Sequence, residues 1–126
     1  MANTFTEKSN ETWKEGLDCL ASGSSNMAAN RLYYSVFQAI KGFAIARKLW
    51  SPDEKSDVHK KALDVVCGHA GGKGHGSRQK LSELRGLREI ADYWPENVDI
   101  EELKALITDA DMIRKHHIKN AVEKAG

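Results

Sequence analysis

The chain has little of what staples or interrupts a fold. Its 126 residues include two cysteines, Cys19 and Cys67, too few and too far apart for a disulfide framework or a zinc-ligand spacing. They point to a reducing compartment. Two prolines leave long stretches without the ring that breaks helices. No apolar run approaches the ~20 residues that span a bilayer, and "MANTFTEKSNETWKEG" lacks the basic start and apolar stretch of a signal peptide. The expectation is a cytoplasmic protein without a membrane role. Neither sign of charge dominates: 19 Lys and Arg against 18 Asp and Glu give +1. That excludes a global nucleic-acid signature but leaves room for a local basic face. Strand signals are almost absent, because β-branched residues never alternate over a useful length.

What is present is apolar recurrence at three and four residues, in five blocks. The first helix is expected from Thr4, with Glu7 completing a capping box, to about Ala21, burying Trp13, Leu17 and Leu20. "SGSSN" breaks it, and a serine or Asn26 can cap the next. The second helix, about Met27 to Leu49, is apolar over half its circumference (Ala29, Leu32, Tyr33, Val36, Phe37, Ile40, Phe43, Ala44), the pattern of a central, buried helix. "SPDE" offers Ser51 as cap, Pro52 at the first helical position and Glu54 closing a box, before a third helix with Val58, Ala62, Val65 and Val66 that ends at Gly68. The fourth, about Ser77 to Tyr93, buries Leu81, Leu84, Leu87 and Ala91 and is stopped by Pro95. The fifth, capped by Asp99 with Glu102 three residues on, runs to about Glu123 along Leu103, Leu106, Ile107, Ala110, Ile113, His117 and Ala121. The fold class is all-α: an antiparallel bundle of about five helices in one domain spanning residues 1–126.

Few constellations rise above packing. "GHAGGKGHGS" is no phosphate loop, since Lys73 is followed by Gly74 rather than Ser or Thr and no strand precedes it. Cys67, His69 and His75 lack a fourth ligand and a rigid scaffold, so the segment reads as a mobile surface loop and no metal is expected. His116 and His117 are adjacent and point about 100° apart on a helix, so they cannot chelate together; His117 falls on the apolar seam as a packed residue. On the second helix, Arg31, Tyr34 and Gln38 form a polar strip at i, i+3 and i+7 beside the apolar arc, suited to a solvated face, a crevice or a dimer seam. On the fourth, Arg88 and Asp92 are an i, i+4 pair in the weaker, basic-first orientation. An exposed pair of that kind contributes only a few tenths of a kcal/mol, roughly. Arg88, at the edge of the apolar stripe, is better explained by recognition or interhelical hydrogen bonding.

"NRLYYSVFQAIKGFAIARKL", "SDVHKKAL" with its early His59, and "LREIADYW" before a last long helix together resemble the HEPN superfamily, over residues 26–120. These are small all-α domains of prokaryotic toxin–antitoxin, defence and nucleotidyltransferase-associated systems. The resemblance implies a homodimer with a polar cleft between protomers, no cofactor, and a nucleotidyltransferase-type antitoxin, RNA or nucleotide as partner. Active relatives are metal-independent endoribonucleases with an Arg-x4–6-His motif; here Arg88 holds the arginine position but is followed by Ala91, Asp92, Tyr93 and Trp94, with no histidine at that spacing. The pattern is that of the Arg-x-x-Ala-Asp-Tyr branch. The expectation is a non-catalytic binding module with Arg31, Tyr34, Gln38, Arg88, Asp92 and Tyr93 lining the cleft. The alternatives are a divergent endoribonuclease using Arg88 and Tyr93, although a phenol titrating near 10 is a poor base at neutral pH, and a purely structural dimer.

Overall fold

The recurrence at three and four residues becomes five α-helices in the computed structural model, which describes residues 4–51, 53, 58–69 and 74–125. They are α1 (Thr4–Ala21), α2 (Ser25–Ala46), α3 (Val58–His69), α4 (Gly74–Tyr93) and α5 (Ile100–Ala125), with no strand among the described residues. The all-α bundle is as expected. Helix α2 is its axis: 11 of its 22 residues are buried, and it touches all four other helices.

Helix α1 departs from the expected face. Leu17 is 39% exposed, whereas Ser9, Thr12 and Trp13 are buried. The reason is proximity. A methyl group on Gly16 would come within 2.6 Å of Leu32 Cδ2, so the small-residue side of α1 is the one that fits against α2. Two wholly buried hydroxyls cross the seam: Ser9 Oγ donates to the Ser35 carbonyl at 2.7 Å and Ser35 Oγ to the Ser9 carbonyl at 2.6 Å. Helix α5 is tied to α1 through Arg114, whose Nη1 donates to Asn10 Oδ1 at 2.7 Å while its head lies 5.0 Å from the Trp13 ring centre.

The helix ends follow backbone chemistry. After α1, Ser24 N–H donates to the Cys19 carbonyl and Gly23 N–H to that of Leu20, with Gly23 at φ +82°: a Schellman motif with glycine at its left-handed position. Helix α2 ends in the same way three residues earlier than expected. Leu49 N–H reaches the Ala44 carbonyl and Lys48 N–H that of Ile45, with Lys48 itself at φ +60°. The turn brings Trp50 into the core against Phe37, ring centres 6.3 Å apart. Ser51 Oγ accepts from Asp53 N–H; the expected box with Pro52 and Glu54 lies outside the described residues. Helix α4 begins at Gly74, so Gly74, His75 and Gly76 of the expected loop belong to its first turn. Asp99 caps α5 as expected, its Oδ1 accepting from Glu101 N–H at 2.9 Å and Glu102 N–H at 3.3 Å. His117 is fully buried, its Nδ1–H donating to the Ile113 carbonyl at 2.8 Å and its ring edge-on to Phe43.

No described helix is long and apolar enough to cross a membrane.

Candidate functional site

Helices α2, α3 and α4 meet around one guanidinium. Arg88, on α4, is 5% exposed, and three tyrosine rings surround its head: Tyr33 at 5.4 Å, Tyr34 at 5.6 Å and Tyr93 at 5.7 Å to their centres. Guanidinium over aromatic faces is favourable, and more so where water is excluded. Arg88 Nη1 donates to Asp92 Oδ2 at 3.3 Å, one helical turn on. Burial opposes the arginine's charge, but Tyr34, Asp92 and Tyr93 outweigh it and hold the pKa above the ordinary value. The Arg88 Nε is buried without a hydrogen-bond partner among the described residues.

Asp92 is itself held from a second side. Asn30, on α2, donates its Nδ2 to Asp92 Oδ1 at 3.2 Å and Oδ2 at 3.3 Å. The carboxylate therefore bridges α4 to α2. Asn26, expected as a possible cap, serves a similar clamp: its Oδ1 accepts from Val98 N–H at 2.8 Å and its Nδ2 donates to Asn97 at 2.9 Å, fixing the α4–α5 connection against the start of α2.

On the α3 side, the Tyr33 hydroxyl and His59 Nδ1 are 2.6 Å apart. Burial pushes the Tyr33 phenol up to about 12, so it stays protonated. Burial also lowers the His59 pKa, helped by the charges of Arg88 and Arg85. A protonated phenol and a neutral imidazole bond best with the O–H donating to the ring nitrogen, which assigns the proton on His59 to Nε2. Phe37 flanks the same imidazole at 5.1 Å.

The structure thus brings together four of the residues read from the sequence, Tyr34, Arg88, Asp92 and Tyr93. Arg31 is exposed and lines a small pocket with Asn30 and Asp92 on the solvent side of the cluster. Gln38 lies further along α2, half-buried, its Oε1 turned inward without a hydrogen-bond partner among the described residues. Sequence reasoning missed Asn30, although it extends the polar strip one turn back (Asn30, Tyr34, Gln38 at i, i+4, i+8). It placed Tyr33 in the core without a polar role. Nothing local in the sequence signals the approach of His59, which depends on how α3 docks. Tyr93 is 74% exposed and Trp94 60%, so α4 ends in an open aromatic pair. Among the described residues no cluster of three or more metal-ligand side chains occurs, and neither cysteine forms a disulfide.

A helical bundle whose central helix presents Asn-Arg-x-Tyr-Tyr to a buried arginine, itself paired with the exposed Asp92 at the end of the fourth helix, defines a small all-α domain with a polar cluster at one end. The HEPN domain model matches residues 2–121, and the chain belongs to the HEPN domain family. The match takes in α1 as well as the 26–120 stretch that carries the resemblance. No curated relative matches the chain.

Proposed function

We propose that the protein is a non-catalytic HEPN module that acts as a homodimer and binds single-stranded RNA or a nucleotide, in the setting of a toxin–antitoxin or defence system where a partner protein engages the same end. The burial of Arg88 carries this reading. An arginine that stabilises a phosphoryl transition state must face the charge that develops. Here the guanidinium is enclosed by three tyrosines and bonded to Asp92, which suits an organising role. His59, on the α3 side of the cluster, is engaged by Tyr33. The exposed Tyr93 and Trp94, with Arg31 close to Asp92 on the neighbouring pocket, are the parts of a single-strand surface: π-faces for bases and a cation for phosphate.

The test is to incubate purified protein with single-stranded RNA in the absence of metal. RNA should remain intact while anisotropy reports salt-sensitive binding. Arg88→Ala should weaken that binding and lower stability by about 2 kcal/mol, because Asp92 loses its charged partner but keeps Asn30 and partial contact with water. A second reading, a divergent endoribonuclease built on Arg88 and Tyr93, is favoured by the exposure of Tyr93 beside the guanidinium. Cleavage by the wild type, lost in both Arg88→Ala and Tyr93→Phe while circular dichroism shows each folded, would establish that reading instead.

A further inference from the structure

The charge of the chain is balanced only on average. Residues 19–52, which contain all of α2, hold no aspartate or glutamate and four cations, Arg31, Lys41, Arg47 and Lys48. That leaves 15 of the 19 basic residues and all 18 acidic ones to the rest of the sequence. In α4 and α5, Lys80, Arg85, Lys104 and Lys115 each meet a carboxylate of their own helix. Helix α2 has no acid with which to do the same.

The face that α2 leaves to solvent is one strip. Met27, Arg31, Tyr34, Gln38, Lys41 and Ile45 recur at alternate steps of four and three, and each is exposed or half-buried. They lie opposite the buried Ala29, Val36 and Phe43. Helix α1 borders the strip on one side, where the Phe5 ring centre is 5.1 Å from Lys41 Nζ and 5.7 Å from Lys8 Nζ. On the other side Tyr34 faces Arg88 and His59. Ser9 meets Ser35 and Gly16 meets Leu32, so α1 runs antiparallel to α2 and starts beside its second half. Lys8 and Lys41 therefore form one positive centre over a shared ring. Arg31 forms a second, ten residues or ~15 Å back along the α2 axis. None of the three pairs with a carboxylate among the described residues.

The helix macrodipole does not account for these positions. It favours cations only around the last turn, whereas Arg31 lies in the first half of α2 and Lys41 more than a turn before its end. Unpaired charges of one sign, set in a line, fit a chain of anions. The strip also begins where the open aromatic pair stands: Arg31 shares a pocket with Asp92, next in sequence to the exposed Tyr93 and Trp94. Cations that follow a backbone, beside rings on which bases stack, are the parts of a single-strand site. An acidic peptide would match the charges and leave the rings unused.

We infer that this strip is a phosphate track: a single RNA strand whose bases stack at Tyr93 and Trp94 carries its backbone past Arg31 and along α2 to Lys41 and Lys8. The inference rests on the RNA- or nucleotide-binding reading above and chooses the strand over the free nucleotide. One acid borders the track. Glu15 is exposed, two turns along α1 from Lys8 and on the same face, so it opposes the strand.

The test is fluorescence anisotropy of the intact protein with an unstructured 20-nucleotide RNA, repeated over a range of salt concentrations. Three phosphate contacts contribute about −2 to the slope of log affinity against log salt, at about −0.7 each. Lys8→Gln, Arg31→Gln and Lys41→Gln should each reduce the slope by about 0.7 and weaken binding about 5-fold at ~0.1 M salt. Circular dichroism should show all three folded. Lys104→Gln, at a cation already paired with Glu101, should leave the slope unchanged, and Glu15→Gln should tighten binding. UMP, with one phosphate and no condensed counterions to release, should bind about 10-fold more weakly than the RNA, or worse. RNA binding with a slope unchanged in all three variants overturns the track and leaves the broader reading standing. UMP bound as tightly as the RNA overturns it too. A polyglutamate peptide bound as tightly, with the same losses in the variants, would make the strip a protein-binding surface and likewise overturn the inference. No binding of RNA or UMP overturns both readings.

Discussion

Acid should act on this cluster through His59. The folded imidazole is held below its ordinary value, first by burial and then by Arg88 and Arg85. The unfolded chain therefore binds more protons than the native one across the gap. Stability from this group is complete above pH ~6.5 and is lost as pH falls through that value towards the lowered folded pKa. Thermal unfolding between pH 8 and 5 should show the decline, and His59→Gln should flatten it. Tyr33 behaves oppositely. Its folded pKa of about 12 lies above the ordinary 10.0, so its contribution is intact below pH 10 and is lost as pH rises through 12, about 3 kcal/mol in all. Tyr33→Phe should remove the alkaline loss and cost about 1 kcal/mol at neutral pH. At this scale the sequence was half legible. The Arg88–Asp92 pair follows from i, i+4 spacing, but its enclosure by Tyr33 and its link to Asn30 are contacts between helices that no spacing within one helix encodes.

Helix identities were readable because each carries a full apolar stripe, and Asp99 announced the start of α5 through an ordinary cap. The ends went astray where chemistry departed from composition. Gly23 closes α1 as a glycine should, whereas α2 closes on Lys48 at φ +60°, a residue type that gives no stop signal. The approach of Cβ to the following carbonyl oxygen disfavours that conformation by roughly 1–2 kcal/mol for an ordinary residue. Lys48→Gly should therefore stabilise the protein by about 0.5–1 kcal/mol, offset in part by the greater freedom of glycine in the unfolded chain. The measurement is the midpoint of urea unfolding, with an unchanged slope expected because Lys48 is exposed. An unchanged or lower midpoint would mean that the left-handed turn is not strained by its lysine.

For the molecule as a whole, the open question of scale is whether one chain or two make the working unit. The wide apolar arc of α2 needs no second copy to cover it, because within a single chain it has four neighbouring helices. The support that remains is the family resemblance and an open, largely apolar groove between α4 and α5, floored by Leu87, Ile90, Ala105 and Leu106 beside the bare backbone of Gly86. Light scattering at micromolar concentration should return twice the 14.0 kDa chain mass. A mass of one chain would confine any cleft to a single protomer. Gly86→Leu offers a finer check: a Cβ there meets nothing within 4 Å, so the fold should persist while a dimer seated on that groove dissociates.

The reciprocal serines between α1 and α2 set a vernier on assembly. Sliding α1 by one turn, ~5.4 Å, would carry Ser9 past Ser35 and leave two hydroxyls in a dry seam with no water to turn to, at roughly 1–3 kcal/mol each. It would also drag Gly16 away from Leu32 and force a larger neighbour into that gap. Apolar contact alone would tolerate such a slip, since one greasy ridge resembles the next. Polar registry makes the mispaired hairpin a poor trap, so the first two helices should find one alignment early and keep it.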